Sequence, residues 1–136
     1  MTTGISDRKP LALIIEDDRK QATIFDQALR MAGFETEIIQ DGRAALERLA
    51  TIVPALVVLD LHLPYVSGDD ILHQIRADER LAETRVILAT ADPLMAEPLG
   101  QESDLVLLKP ISFGQLRDMA TRLRPYDTRR DAQVDK

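Results

Sequence analysis

Five short apolar runs recur along the chain: Leu11–Ile15, Thr36–Ile39, Ala55–Leu59, Val86–Ala89 and Leu105–Leu108. Four are almost continuously apolar. That is the pattern of strands covered on both faces in a parallel sheet, not of strands with one face in water. The second, with Glu35 and Glu37 in or beside it, is the most polar and is expected nearest a sheet edge.

Helical patterns lie between these runs. Arg19–Ala32 repeats Ala22, Phe25, Ala28, Leu29 and Ala32 at three-to-four spacing, with Gly33 as a stop. Arg43–Thr51 offers Ala45, Leu46 and Leu49 behind Asp41 as a cap. Asp69–Asp78 presents Ile71, Leu72 and Ile75 behind an acidic first turn that suits the helix dipole. Ser112–Leu123 presents Leu116, Met119, Ala120 and Leu123, with Ser112 as cap. The connection from Asp92 to Asp104 carries Pro93, Pro98 and Gly100, so any helix there is short or broken. Strand–helix alternation implies βαβ units, and right-handed crossovers leave few topologies. The expectation is an α/β fold, a doubly wound five-stranded parallel sheet, (βα)5. Residues 10–124 form the folded unit, residues 1–9 a short extension, and residues 125–136, which lack apolar periodicity, a mobile tail.

Composition removes several classes of function. The 136 residues are 45% apolar and 29% charged, as in a globular domain and unlike a disordered tail. With no Cys there is no disulfide framework, zinc ribbon, thiol nucleophile or redox pair. Seventeen Lys plus Arg against 23 Asp plus Glu leave a charge of −6, which argues against direct binding of duplex DNA. No apolar run is long enough for a spanning helix, and the first one runs straight into Glu16-Asp17-Asp18, unlike a signal peptide. A cytoplasmic location and no membrane partner are the expectation.

In an open α/β sheet, ligands bind beyond the carboxyl ends of the strands. The residues there are Glu16, Asp17 and Asp18 after the first run, Asp60 after the third, Thr90 after the fourth and Lys109 after the fifth. Carboxylates ~4 Å apart repel by roughly 4 kcal/mol per pair at an effective dielectric near 20. A hard divalent cation relieves that repulsion, and Mg²⁺ commonly takes one or two carboxylates while keeping waters. A lysine and a threonine hydroxyl suit phosphate oxygens. Such a group points to phosphoryl transfer onto a carboxylate, with Asp60 the candidate acceptor and Glu16 and Asp17 holding the metal.

The same residues carry a resemblance. Ile-Ile-Glu16-Asp17-Asp18, then Val-Val-Leu-Asp60-Leu-His62-Leu-Pro64-Tyr-Val-Ser-Gly68, then Leu-Ala-Thr90-Ala91, then Leu-Leu-Lys109-Pro110 resembles the receiver domain of two-component response regulators. The order and spacing agree as well as the identities, over roughly residues 10–124. The resemblance implies a flavodoxin-like fold and a phosphoryl group taken by Asp60 from a sensor histidine kinase or a histidine phosphotransfer protein. It implies Mg²⁺ bound by Glu16, Asp17, Asp60 and the backbone carbonyl of His62, with Asp17 the direct ligand and Glu16 an outer one. Thr90 and Lys109 would contact the phosphoryl group, and the Lys109–Pro110 bond would be cis. The role implied is a stand-alone switch or phosphorelay intermediate, not an enzyme, acting on a downstream protein. Two features depart from the family. Val106 stands where an aromatic is usual, and the Thr90-to-Lys109 stretch is shorter by about a helical turn.

Other readings follow from single residues. Asp18 reads as a helix cap, Pro64 as restricting the loop, Gly68 as letting the backbone turn into the next helix, and His73 as a surface residue on its helix. A receiver-like binding module without phosphorylation is the main rival, opposed by the complete set of acids, Thr90 and Lys109. A Mg²⁺-dependent aspartyl phosphatase commonly needs a second acid two residues after its nucleophile, and here that residue is His62. A nucleotide site of the glycine-rich kind is excluded, because no such loop follows the first run.

Overall fold

The structure, a computed structural model, describes residues 9–125. The expected extension and tail lie outside the described residues, apart from Lys9 and Pro125. Five strands alternate with five helices: β1 Leu11–Ile15, α1 Arg19–Met31, β2 Glu35–Ile39, α2 Gly42–Leu49, β3 Leu56–Asp60, α3 Gly68–Ala77, β4 Arg85–Thr90, α4 Pro93–Ala96, β5 Leu105–Leu108 and α5 Phe113–Leu123. Short 3₁₀ turns, Glu79–Leu81 and Glu97–Leu99, precede β4 and follow α4. The sheet is parallel throughout, in the order β2-β1-β3-β4-β5. The polar second run does lie at an edge.

The helices start where the sequence places a short polar side chain. Asp18, Asp41, Ser67 and Ser112 each accept a hydrogen bond from a backbone N–H in the first turn of α1, α2, α3 and α5. Such a cap satisfies one of the donors a helix start leaves free, worth about 1 kcal/mol. After α1, Gly33 takes φ +95°, a conformation that L side chains rarely adopt.

The pleat sorts the strand residues onto two covered faces. Ala12, Ile14, Leu56, Val58, Ile87 and Ala89 pack with Phe25, Leu29, Leu116 and Ala120 of α1 and α5. Leu13, Ile15, Val57, Leu59, Val86 and Leu88 pack with Ala45, Leu49, Ile71, Leu72 and Ile75 of α2 and α3 and with Ala96 of α4. Every residue of β3 is buried, which explains why that run shows no polar alternation.

One expectation fails. β5 was to be covered on both faces like β1, β3 and β4, yet only Leu107 is buried and Leu108 is 48% exposed. The cause is its place at the sheet edge beside a helix of four residues, with Pro93 in its first turn. An α4 this short cannot cover a strand. Among the described residues, no helix is long and apolar enough to cross a membrane.

Candidate functional site

Side-chain alternation continues past the strand ends and selects which polar residues meet. Glu16 follows Ala12 and Ile14, Asp60 follows Leu56 and Val58, and Lys109 follows Leu105 and Leu107, so all three extend the α1/α5 face. The ladder holds them there: Glu16 N–H donates to Ile39 O at 3.0 Å and Lys109 N–H to Thr90 O at 2.8 Å. Thr90 extends the opposite set, Val86 and Leu88. β5 lies two strand spacings from β3, roughly 10 Å, so only a long side chain bridges the width of β4. Lysine has that reach.

Lys109 Nζ lies 2.9 Å from Glu16 Oε1 and 3.4 Å from Asp60 Oδ1. Glu16 Oε2 accepts the Asp18 N–H at 3.1 Å. Asp60 Oδ1 also accepts the His62 N–H at 3.0 Å, so the loop after β3 folds back onto its own carboxylate. Among the described residues no donor is directed at Asp60 Oδ2. Glu16 and Asp60 are almost fully buried, whereas Asp17 is exposed. Carboxylate oxygens of Glu16, Asp17 and Asp60 all lie within 4.8 Å of one another.

Burial pushes the Glu16 carboxyl up to about 7, against the pull of the Lys109 and Asp18 hydrogen bonds and with the Asp60 charge adding to the rise. Burial also acts to lower the Lys109 ammonium, but the Glu16 hydrogen bond and the two nearby carboxylates outweigh it, and the net shift is upward. Three clustered carboxylates with one ammonium carry an excess of negative charge. An oxygen-ligated divalent cation fits that donor set. Asp17 is its exposed member, Asp60 offers Oδ2, and Glu16 already has both oxygens engaged.

Thr90 is not joined to this cluster. Its buried hydroxyl accepts the Asp92 N–H at 3.0 Å and donates to Asp92 O at 3.3 Å, within the turn into α4. The His62 side chain is exposed. The Lys109–Pro110 bond is cis. His73 is a half-exposed surface residue on α3, and its Nδ1 lies 2.8 Å from Glu102 Oε1, a pairing the sequence does not reveal.

The loop after β3 carries two further features. Val66 N–H donates to Pro64 O at 2.9 Å across Tyr65, a three-residue turn with φ +71° at a bulky residue. The Tyr65 ring is 82% exposed, with the Arg43 guanidinium 6.0 Å from its centroid. The sequence flags this as a loop through Pro64 but carries no signal for a left-handed tyrosine, since Gly or Asn is the usual occupant.

The fold and site define a doubly wound α/β domain with three carboxylates and a lysine clustered at the carboxyl edge of its sheet, a donor set that could hold a cation. A sequence model of the response regulator receiver domain matches residues 12–121, and the chain belongs to that family. It is 31% identical over 127 residues to the "Probable methanogenesis regulatory protein FilR2" of Methanothrix harundinacea, covering 85% of this chain and 82% of the relative. It is 33% identical over 121 residues to the "DNA-binding response regulator MtrA" of Mycobacterium tuberculosis, covering 88% of this chain but only 51% of that protein. The chain thus spans about half of MtrA. Among solved structures, the receiver domain from Methylobacillus flagellatus superposes with a TM-score of 0.73 at 28% identity, covering 85% of this chain and 99% of that one. Receiver domains act as signalling switches, interact with histidine kinases and generally bind Mg²⁺ at an acidic site.

Proposed function

We propose that the chain is a phosphorylation-controlled receiver in which Asp60 accepts a phosphoryl group from the phosphohistidine of a sensor kinase or phosphotransfer protein. One observation carries this reading. Asp60 is a buried carboxylate with Oδ1 occupied by His62 N–H and Lys109 and with Oδ2 free of donors. Attack of Oδ2 on phosphorus forms the acyl phosphate as the P–N bond breaks, and the imidazole leaves. Lys109, already between Glu16 and Asp60, is the ammonium for the transferred oxygens. Thr90 supplies its hydroxyl if it gives up its bonds to Asp92. Asp17, Asp60 and the His62 carbonyl would hold Mg²⁺, with Glu16 supporting from behind. When bound, Mg²⁺ offsets charge on the transferring group. The outcome is a switch and not turnover of a separate substrate. Incubation with phosphoramidate and Mg²⁺ is expected to add one phosphoryl mass, mapped to Asp60. A protein unmodified under those conditions is a binding module instead.

The metal assignment makes its own prediction. Glu16→Ala is expected to weaken Mg²⁺ binding about tenfold, as for a residue that supports a ligand from outside. Asp17→Ala is expected to weaken it further, because it removes a direct ligand. Titration calorimetry reads both, and equal affinities for wild type and Asp17→Ala refute the site.

The readout follows from Val106. It is half-buried on the α2–α4 face, β-branched and confined to few rotamers, so it cannot exchange an exposed for a buried pose as a large ring does. Amide exchange with Mg²⁺ and beryllofluoride, a phosphoryl mimic, is expected to change most around Asp60, Thr90 and Lys109. The Leu105–Leu108 strand is expected to change least. Largest changes at Leu94–Leu99 and Leu105–Leu108 would show that another residue performs the ring's task.

A further inference from the structure

The strand that delivers Lys109 has little to fix its register. β5 has four residues, pairs only with β4 and buries only Leu107. Its sequence, Leu-Val-Leu-Leu, is apolar at every position, so a slip of one residue would still place apolar groups on both faces. Such a slip would send Lys109 to the opposite face. Burial alone therefore does not choose the register, and something polar must.

That group lies at the far end of the sheet. Arg76, in the last turn of α3, donates from Nε to Glu102 O at 2.6 Å, from Nη1 to Thr84 O at 2.9 Å and from Nη2 to Asp104 Oδ2 at 3.0 Å. Asp104 immediately precedes β5. Its N–H donates to Val86 O at 2.9 Å, and its Oδ2 accepts the Val86 N–H at 2.7 Å. Its Oδ1 pairs with Arg85 Nη1 at 3.0 Å. One guanidinium thus ties the end of α3, the residue before β4 and the residue before β5. Arg76 and Asp104 are each about one-fifth exposed, while Arg85 is 55% exposed, so the inner pair is the better shielded. The planar fork supplies three bonds in one geometry, which a lysine cannot.

We propose that the Arg76–Asp104 clamp sets the register of β5 and so seats Lys109 beside Glu16 and Asp60. Arg76 is then a positioning residue for phosphoryl transfer, although it touches neither phosphate nor metal. The assignment rests on the reading of Asp60 as phosphoacceptor with Lys109 as its cation.

The test uses the full chain with Arg76→Ala, Arg76→Lys, Asp104→Ala and, as control, Arg85→Ala. With phosphoramidate and saturating Mg²⁺, the first three are expected to slow phosphorylation of Asp60 by about tenfold to a hundredfold, the cost of a misplaced group. Their Mg²⁺ affinity is expected to stay near wild type, because Asp17 follows β1 and Asp60 ends β3, away from β5. Arg85→Ala is expected to be close to wild type in both. NMR gives the readout that general loosening does not move selectively. Exchange of the Lys109 amide, bonded to Thr90 O, should accelerate, and β4–β5 contacts should change, while the β1–β3 ladder keeps its protection. Folded Arg76→Ala with wild-type rate and unchanged β4–β5 contacts overturns the clamp. So does parallel loss of rate, Mg²⁺ affinity and β1–β3 protection, which marks plain destabilisation. If the wild type takes no phosphoryl group, or Lys109→Ala transfers normally, the functional reading fails. The NMR comparison then still decides whether Arg76 sets the register.

Discussion

Asp60→Asn is expected to reduce phosphoryl incorporation from phosphoramidate to background while leaving the fold intact. The amide is nearly isosteric with the carboxylate, and its oxygen can still accept the His62 N–H that now reaches Oδ1. What it lacks is a nucleophilic oxygen anion. The change also removes one of two buried acids that share Lys109, whose ammonium is 2.9 Å from Glu16 and remains paired there. Since the Asp60 charge helps raise the Glu16 carboxyl, relief of that repulsion is expected to leave the melting temperature equal to or above that of wild type. Intact-mass measurement and thermal denaturation check the two halves separately. Labelling of the variant at any residue would falsify the acceptor assignment.

Gly68→Ala carries the largest expected effect on stability. Gly68 opens α3, and a Cβ placed there would come 2.5 Å from Asp60 O and 2.6 Å from Leu61 Cα. Both are backbone atoms of the last β3 residue and its successor, so neither can turn aside as a flexible side chain would. Either α3 moves off the sheet or the end of β3 shifts, and Ile71, Leu72 and Ile75 lose packing in the first case. The expected cost is about 3 kcal/mol, a fall of roughly 10 °C in Tm for a domain of this size. Urea denaturation checks it. Because the contact is with the Asp60 carbonyl, phosphorylation is also expected to slow in whatever fraction stays folded. A shift within a few tenths of a kcal/mol would mean that α3 approaches β3 less closely than described. The sequence reads Gly68 as letting the backbone turn into the next helix; the structure adds that a Cβ at that helix start has no room against the end of β3.

Much of this molecule is legible before any coordinates. The caps at Asp18, Asp41 and Ser112 follow from short-range chemistry, since each side chain bonds a backbone N–H three residues on. The five strands follow from apolar runs whose length matches the sheet, and the weak fourth helix from its prolines. Glu16, Asp17, Asp60 and Lys109 stand out because each interrupts or immediately follows an apolar run. The exposed edge of β5 was not legible, because Leu105–Leu108 reads like the buried strands. Coverage depends on the helix beside a strand, and local sequence does not encode it. Tyr65 at φ +71° and the Arg76–Asp104 clamp were likewise hidden. The first opposes local preference, and the second joins residues far apart in the chain.

The sequence by itself determined the alternation of elements, the polar groups that end the strands and the side-chain parity within each run. Those are properties of neighbouring residues, set by backbone period and capping within a few positions. Only the tertiary structure decided that Lys109 lies nearer Glu16 than Asp60 and that α3 leaves no room for a Cβ at Gly68. These depend on strand order, β5 register and helix approach, which long-range packing selects. A side chain within about an ångström of changing partner is governed by that packing, not by its place in the chain.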